Sequence, residues 1–508
     1  MIEIFCAYLR QPYDHRSRPR GPGDARTPPL RERRKWQLQS DKDSRILDAE
    51  GEVRRTAFRL MRDLLRSSVD LDLPPQSIDL QGAVLDGADF SGCPLGKLTM
   101  GRTFIAGDLN LNDCLFGGEI SLGDDTTIKG NIELGSSQPI PGDVAVGSRC
   151  QIDGNVELQA KTILKGQFVV GQGSRIGGHV RGGSDLTIEG IFQLQAESRV
   201  REIRLERSSS LLSGLVVAEG GAVEQTLRIE PSSHIKNIDL RAGSRIGGSL
   251  VIAGPATVSG GLRIGEAAEI GAGVQLGEGT VGDGIVLGPG SRVSSLSLVA
   301  TRVTAYVIVR PGATLGHLHL SSSASVSRGI LLGRGAEISD DIGIYDLSRV
   351  GSRKSEGQKG SSGFSLKAGI FAFDGIHLEE DSRVGGSIKL WGGAAVQGDL
   401  VFKRGVQLAE ILDMEEGSRV TGEVTLEAGA QVKGGVHTPW AEPTVAPITA
   451  RELAHGNKLH LVLAHGSHLH FLIRSESSYM MAVLPEDSVT QWVDEPYTLF
   501  WKRSDDVR

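Results

Sequence analysis

The sequence predicts a mainly β protein: a single-stranded parallel β-helix (solenoid), right-handed and built from twelve-residue units. Lead residues such as Ile128, Ile140 and Ile152 recur at steps of twelve. Within a unit, apolar residues such as Ile132 and Leu134 alternate with polar ones, a period of two that places both side chains on one face of a strand. Composition agrees, since 68 of 508 residues are Gly and only 5% are aromatic, which suits a thin core of Ile, Val and Leu.

The units continue through residues 105–438, which we assign to the solenoid. Their lead positions include Ile128, Ile140, Ile152, Leu164, Ile176, Ile188, Val200, Leu212, Val223, Ile235, Ile246, Val384, Val396, Leu408, Val420 and Val432. One unit divides into two sides of six, as in VSGGLR and IGEAAE from Val258. We expect three sides and a coil of about 18 residues, the alternative being four sides and about 24.

Composition and charge narrow the function classes. The net charge is −7, and no segment is basic enough to indicate a nucleic-acid partner. The four Cys residues, at positions 6, 93, 114 and 150, are dispersed and form no CxxC pair, which favours a reducing compartment. The chain has no apolar run of about 18 residues and no signal core. We therefore expect a cytoplasmic protein with no direct membrane span and no cofactor.

Residues 1–75 predict a helical cap that contains a disordered basic linker at 12–45. A short helix in IEIFCAYLRQPY ends before Pro12. In GEVRRTAFRLMRDLLR, the residues Val53, Ala57, Met61, Leu64 and Leu65 fall at spacings of three and four, which predicts an amphipathic helix with its Arg residues on the outer side. Its apolar stripe would cover the open end of the solenoid.

Residues 76–104 have a period of five. Leu80, Leu85 and Phe90 lie at equal steps, and Ala83 and Ala88 precede the last two by two positions. This pairing of large and small residues is typical of the inside of a four-sided coil.

The stretch IDLQGAVLDGADFSG resembles pentapeptide-repeat proteins, and IEIFCAYLRQPY with GEVRRTAFRLMRDLL resembles the helical lead-in of an actinobacterial group of them. The resemblance covers about the first 105 residues. It implies a right-handed quadrilateral β-helix, usually without known catalysis, in proteins that often carry membrane helices upstream. Because the chain starts inside the helical region, either this member has lost those helices or its start is placed late.

Two further resemblances are shorter. IKGNIEL and VTGEVTL are similar to motifs of bactofilins, whose solenoids join end to end as a family. Hexad units also resemble acyltransferases, which usually depend on a His in a cleft between subunits. His317 and His319 in LGHLHL have no accompanying loop, so the acyltransferase interpretation is the weaker one.

Arg recurs at the last place of the unit, for example at Arg175, Arg245 and Arg292. The side chain should point outward, and because Glu269 and Glu337 occupy the same place, we expect a solvated face with local salt bridges in preference to a polyanion site. Cys114 and Cys150 lie at or beside the small inward place, so we interpret them as packing residues.

Two segments interrupt or follow the repeat. Residues 351–374 predict a loop insertion, which we interpret as a spacer in preference to a binding lid. Residues 448–508 predict a small β-rich domain in which KLHLVLA and HLHFLIR form a hairpin. By alternation His460, His468 and His470 could share one face of that hairpin. They are weak candidates for a metal site, and exposed His residues are the stronger interpretation.

The function predicted from these observations is a non-enzymatic scaffold or protein-interaction rod. The chain has no GxSxG, P-loop or HExxH motif, so we predict no enzyme activity and no catalytic residue. A bactofilin-like cytoskeletal polymer is the alternative, and a β-helix enzyme such as an acyltransferase is third. We expect an unknown protein partner, any membrane association to run through that partner, and a monomer or modest oligomer.

Overall fold

The computed structural model describes residues 1–11, 50–69, 73–346, 348–350, 375–414, 418–420, 424–426, 430–432, 436–437, 461–463, 468–475 and 478–484. Over these residues the chain is mainly β, a parallel solenoid of about 14 coils with two helices, which confirms the predicted fold class. The chain divides into two compact units, Met1–Ser213 with Gly221–Val223, and Gly214–Gly220 with Glu224–Arg508. We call them the first and second units.

One coil of the repeat takes 24 residues, the separation between the hydrogen-bonded Asn131 and Asn155, and it has four sides. In chain order the sides carry the strands Gln151–Ile152, Val156–Leu158, Ile163–Leu164 and Phe168–Val170. Each side pairs in parallel with its counterpart one coil later: Ile152 with Ile176, Val156 with Val180, Leu164 with Ile188 and Phe168 with Phe192. We call them the first to fourth sides.

The prediction of a three-sided coil is therefore wrong. A typical twelve-residue unit forms a two-residue strand, a turn and a three-residue strand, so two units close one coil. In some coils, as in Arg175–Gly182 and Arg292–Val299, the strands of the first and second sides join into one. Lead residues of alternate units stack, as Ile128 and Ile152 do on the first side, while Ile140 pairs with Leu164 on the third. A period of twelve is compatible with equivalent residues returning to one wall after two units or after three, so the period alone does not fix the number of sides.

In the first unit the strands follow this pattern from the first coil. On the first and second sides they are Val84–Leu85, Ala88–Asp89, Phe104–Ile105, Leu109–Leu111, Thr127–Ile128, Ile132–Leu134, Gln151–Ile152, Val156–Leu158, Arg175–Gly182, Arg199–Leu205 and Ala222–Val223. On the third and fourth sides they are Gln76–Asp79, Pro94–Thr99, Leu115–Phe116, Ile120–Ser121, Val144–Val146, Ile163–Leu164, Phe168–Val170, Thr187–Ile188, Phe192–Leu194 and Ser210–Leu211.

The second unit repeats the arrangement. Its first and second sides carry Leu227–Ile229, Arg245–Ile246, Ser249–Ile252, Glu269–Ile270, Gly273–Leu276, Arg292–Val299, Thr314–Ser321, Glu337–Ile338, Ile342–Ile344, Arg383–Val384, Ile388–Leu390, Gln407–Leu408, Leu412–Met414, Gln431–Val432 and Val436–His437. The third side carries His234–Ile235, Ala256–Val258, Gly279–Val281, Thr301–Val303, Ser325–Val326, Arg349–Val350, Ala395–Val396 and Arg419–Val420. The fourth side carries Leu215–Val217, Ile238–Leu240, Leu262–Ile264, Ile285–Leu287, Tyr306–Val309, Gly329–Leu332, Gly375–Leu378, Asp399–Phe402, Val424–Leu426 and Leu461–Leu463.

The core of each coil is filled by the lead residues and by the apolar residues two apart in the longer strands. Ile152, Val156 and Leu158 are each 1–2% exposed. Small residues at the corners, such as Ser174 and Ser198, are also buried. Coils approach closely at some corners: the N–H of Gly154 donates to the carbonyl of Gly130 at 3.2 Å, and a Cβ on Gly154 would overlap that oxygen, so only Gly fits there.

The five-residue period at 76–104 also gives four sides. Val84 pairs with Phe104 and Leu85 with Ile105, so four sides of five close this coil. The predicted inward residues Leu80, Leu85 and Phe90 are 0–4% exposed. Widening each side from five to six residues converts this coil into the later ones.

The helices Ile2–Leu9 and 50–69 pack on the first coil. Met61 and Leu65 are fully buried, and the ring of Phe58 meets that of the inward Phe90 edge-on at 5.0 Å. The expected apolar stripe needs correction, because Val53 is 52% and Leu64 39% exposed. Phe58, missed in that stripe, fills the face toward the coil.

Arg54 departs from the prediction that the Arg residues lie on the outer side. It is 4% exposed and donates hydrogen bonds to the carbonyl oxygens of Leu9 and Gln11, both at 2.9 Å. The side chain therefore satisfies carbonyls at the end of the first helix and joins the two helices. Its neighbour Arg55 does lie outside and pairs with Asp86 of the coil at 2.9 Å.

Near the C-terminus the described strands continue the coil register. Leu461–Leu463 pairs in parallel with Val424–Leu426. His468–Ser475 pairs in parallel with Gln431–Val432 and antiparallel with Ser478–Leu484. The predicted hairpin between KLHLVLA and HLHFLIR is wrong, because Leu461–Leu463 and His468–Ser475 lie in different sheets and the antiparallel partner of His468–Ser475 is Ser478–Leu484. The predicted linker at 12–45 and the insertion at 351–374 lie outside the described residues.

Candidate functional site

An outward-facing row of residues on the second side of the second unit differs in charge from the corresponding row of the first unit. Residues that follow one another coil by coil in this row are Arg228, Val251, Gln275, Ser297, His319, Gly343, Lys389 and Asp413. The corresponding row in the first unit carries a charge on four successive coils, at Glu133, Glu157, Arg181 and Arg204. After Arg228, the second unit thus presents a row that is neutral over several coils and ends in an ion-paired cluster.

Three aromatic side chains lie along this row: His319, Tyr345 and Trp391, which we call the aromatic ladder. Tyr345 and Trp391 each follow the last residue of a second-side strand. The backbone N–H of Trp391 donates to the carbonyl oxygen of Ile344 at 2.9 Å. The His319 and Tyr345 rings lie 4.7 Å apart at 32°, and the Tyr345 and Trp391 rings 5.6 Å apart at 80°. All three side chains are partly exposed, so the ladder offers ring surface to a ligand.

Gly343 makes room for the central ring. It lies in the row between His319 and Lys389, and a Cβ at this position would overlap the Tyr345 ring. The nearest atoms to that Cβ all belong to the Tyr345 side chain. Because Gly343 has no side chain, Tyr345 can lie back across the face and reach His319.

A frame of charged groups fixes the end of the ladder. Lys389 forms an ion pair with Asp341, and the backbone N–H of Ser387 donates to Asp341 at 2.6 Å. The indole N–H of Trp391 donates to Asp413 Oδ2 at 2.9 Å, and Asp413 is only 8% exposed. These bonds hold Trp391 and Lys389 in place before any ligand arrives.

The protonation states follow from the same contacts. Burial acts to raise the pKa of Asp341, but hydrogen bonds from Lys389 and Ser387 and the charge of Lys389 outweigh it and lower that pKa. The hydrogen bond with Asp341 raises the pKa of Lys389. Burial, with help from His317, lowers the pKa of His319, and burial raises the pKa of Tyr345. Near neutral pH the ladder therefore holds a neutral imidazole and a neutral phenol beside a charged pair.

A groove of about 460 Å³ continues from the ladder along the same face. Its lining includes Gln275, Ser295, Ser297, His317 and His319, side chains that offer hydrogen-bond donors and acceptors. His317 is exposed. Apolar residues such as Val251 and Val299 also line the groove. The groove and the ladder together form one continuous surface of aromatic, apolar and polar side chains.

A second outward cluster lies on the fourth side of the same unit. Tyr306, Ile308 and Leu331 pack there with Val286 and Ala305. The guanidinium of Arg328 lies 5.8 Å from the centre of the Tyr306 ring. Tyr306, Ile308 and Leu331 are only 7–9% exposed, so this cluster offers less apolar surface to a ligand than the aromatic ladder does.

The recurring Arg residues lie where the sequence predicts them. Arg175, Arg245 and Arg292 are exposed on the first side. Arg245 forms an ion pair with Glu269 of the next coil, with 3.4 Å between Nε and Oε2. Glu269 in turn pairs in register with Arg292. The sign alternates along Arg245, Glu269 and Arg292, whereas Arg175 pairs in register with Arg199. These exposed residues form the predicted solvated face, with salt bridges where opposite charges meet.

Cys114 and Cys150 are packing residues, as predicted. Cys114 and Cys150 are 0% and 2% exposed. Burial raises the pKa of Cys114 to about 12 and that of Cys93 to about 11. Both remain thiols near neutral pH, which makes them poor nucleophiles.

The three histidines predicted as weak candidates for a metal site cannot be placed together in the part of the chain that the structure describes. His460 lies outside the described residues, while His468 and His470 lie in the strand His468–Ser475. In the described part of the chain, no group of three or more His, Cys, Asp or Glu side chains could hold a metal ion. The His-rich segment therefore stays an untested prediction.

The ladder residues Tyr345 and Trp391 are not predicted from the sequence. They occupy equivalent places, in IGIY and IKLW, but an insertion separates their coils along the chain. His317 and His319 are singled out by the sequence, although as possible acyltransferase residues and not as part of a ladder. An aromatic residue directly after the strand pattern is the signal that would have found the other two.

The chain matches no protein-family model, no curated protein and no solved structure. The geometry of the coil supports the parallel solenoid alone, and the resemblance to pentapeptide-repeat proteins stays a prediction. Within the part of the chain that the structure describes, neither helix has the length and apolar character needed to cross a membrane.

Proposed function

We propose that this protein is a non-enzymatic binding scaffold whose solenoid presents the aromatic ladder and its groove to an elongated ligand. The observation that carries the proposal is the partly exposed row of His319, Tyr345 and Trp391. Exposed aromatic side chains with an apolar body and a polar edge are the residues that contribute most to recognition. Parallel coils hold them at fixed spacing, as repeat proteins do on their binding faces.

Binding is favoured over catalysis by the way the polar groups of the ladder are used. Asp341 is engaged by Lys389 and by the N–H of Ser387, and Asp413 accepts from Trp391. Asp413 orients the Trp391 ring. Asp341, whose pKa is lowered by its contacts with Lys389 and Ser387, is a weak base. The geometry therefore suits a rigid recognition surface.

The bactofilin-like polymer is the alternative. Growth of such a polymer needs open strand edges at both ends of the solenoid. The helix at 50–69 covers the first coil with Phe58 and Met61, which works against end-to-end joining there. We therefore propose a monomer or a modest oligomer. We also propose that the protein is cytoplasmic and that it is a member of the pentapeptide-repeat proteins.

The proposal is tested by capture from extracts of the native cell. Wild-type protein and the double variant Tyr345→Ala/Trp391→Ala are immobilised at equal density, and retained material is analysed for both protein and carbohydrate. We expect a ligand that is retained by the wild type and reduced about tenfold or more with the variant. Arg292→Ala, on the first side of the same unit, is the matched control and should retain the ligand fully.

Equal retention by the wild type and the double variant would show that the ladder is not the binding surface. Circular dichroism of both proteins must coincide, since Tyr345 and Trp391 are outward residues whose loss leaves the core of the coil intact.

A further inference from the structure

We infer that the ligand of the aromatic ladder is a neutral carbohydrate chain that runs along the coils across the second side. This inference rests on the proposed function, because it names the ligand class for the same surface. It follows from the charge around the ladder, from the position of Lys389 and from the polar groups of the groove.

The charge of the surroundings disfavours an anionic ligand. Lys389 is the cation beside the ladder, and it is paired with Asp341. Asp346 acts electrostatically on His319, Glu410 on Lys389 and Asp413 on Tyr345. A polyanion such as a nucleic acid or an acidic polysaccharide would be repelled by these carboxylates. Lys389, the cation that could offset this repulsion, is already paired with Asp341.

A cationic ligand is disfavoured by what already lies beside the rings. The Nζ of Lys389 lies 5.9 Å from the centre of the Trp391 ring, which is the position that a bound ammonium group would take. The rings of His319 and Tyr345 are stacked at 4.7 Å, too close for a cation between them. The chain thus supplies its own cation, and the exposed ring surface is left for an uncharged partner.

A sugar fits the remaining chemistry. The C–H faces of a pyranose are apolar and pack on aromatic rings, while its hydroxyl groups both donate and accept hydrogen bonds. The groove beyond His319 offers Ser295, Ser297 and Gln275, side chains that also donate and accept without charge. An apolar platform with a few neutral polar groups is the usual composition of a site for such a ligand.

The arrangement of the site indicates a chain of sugars and not one sugar. One row carries one residue per coil, in the order Gln275, Ser297, His319, Gly343 and Lys389. All of these except Gly343 have a polar side chain. Coils repeat at about 4.8 Å, the spacing of paired strands. A ligand made of repeating units, laid across the strands, can place consecutive units over consecutive coils.

The test is direct binding of defined probes to the full chain. Isothermal titration is carried out with neutral hexasaccharides of β-1,4-linked glucose, N-acetylglucosamine and mannose and of α-1,4-linked glucose, and with hexagalacturonate as the acidic probe. We expect at least one neutral probe to bind, hexagalacturonate to bind at least about tenfold more weakly, and the affinity for the neutral probe to change little between about 50 and 500 mM salt.

Two variants separate the role of the rings from the fold. Trp391→Ala removes a ring and should weaken binding of the neutral probe about tenfold or more. Gly343→Ala keeps every binding group but pushes the Tyr345 ring aside, and it should weaken the same binding with an unchanged melting temperature. Arg292→Ala should bind as the wild type does.

The outcomes distinguish this inference from the function on which it rests. If no neutral hexasaccharide binds, or if hexagalacturonate binds more tightly, the inference of a neutral carbohydrate ligand is wrong. If the capture experiment recovers a protein that requires the ladder, the scaffold stands and the carbohydrate inference is overturned. Neutral probes that bind equally to wild type and to Trp391→Ala place the carbohydrate elsewhere and also contradict it.

Discussion

Replacing Ile264 by Asp should unfold the coils around it. Ile264 is 1% exposed and lies between Leu240 and Leu287 of the neighbouring coils on the fourth side. The substitution places a carboxylate in the apolar core and also leaves a void. We expect a loss of roughly 4 kcal/mol or more in the free energy of unfolding. Urea denaturation followed by circular dichroism measures that loss.

The matched control for Ile264→Asp is Gln275→Asp. Gln275 is exposed between the buried Val274 and Leu276, and its row neighbours Val251 and Ser297 carry no charge. The same new carboxylate in this outward position should cost less than about 1 kcal/mol. Equal stability of the two variants would mean that Ile264 does not face the core.

Replacing Met61 by Asp should release the helical cap and cause aggregation. Met61 is fully buried, and Cys6 donates a weak hydrogen bond from its thiol to the Met61 sulfur at 3.7 Å. A carboxylate there would separate the helix at 50–69 from the helix Ile2–Leu9 and from the first coil, at a cost of roughly 3 kcal/mol or more. Exposed strand edges then offer a template for another chain.

The neighbouring Leu60 provides the control, because it is 48% exposed on the same helix. Leu60→Asp should stay monodisperse in light scattering at concentrations where Met61→Asp forms large particles. A monodisperse Met61→Asp protein would show that the cap does not protect the first coil.

Much of the solenoid is predictable from the sequence because inward positions are chemically uniform. Ile128, Ile152 and Leu164 are large apolar residues at fixed steps, and each is buried. Small residues such as Ser174 at the corners repeat equally well. These positions are selected by one requirement, a thin apolar core, so their period is visible without a structure.

The number of sides is harder to predict, because it depends on pairing between coils. The apolar pattern allows Ile128 to stack on Ile152, as in a coil of 24 residues, or on Val146, as in a coil of 18, because both positions are apolar. The structure pairs Ile128 with Ile152. A signal for four sides does exist in the five-residue period near Leu85 and Phe90, since a coil with sides of five can pass into a coil with sides of six without changing the number of corners.

The aromatic ladder is unpredictable for a different reason. Its residues are outward, where no shared packing requirement imposes a period. Tyr345 and Trp391 become neighbours only through the pairing of Ile342 with Ile388, and the insertion hides that relation in the sequence. The same holds for Arg54, whose burial depends on carbonyl groups in another helix.

Deletion of whole coils tests most directly the claim that two twelve-residue units close one four-sided coil. Removing positions 153–176 takes out two complete units and places Ile152 where Ile176 was, so every side keeps its partner. Removing positions 153–170 takes out one and a half units and joins the first side to a corner after the fourth. We predict that the two-unit deletion melts cooperatively within a few degrees of the wild type, and that the shorter deletion is misfolded or aggregated. A folded shorter deletion beside a misfolded two-unit deletion would contradict the four-sided coil.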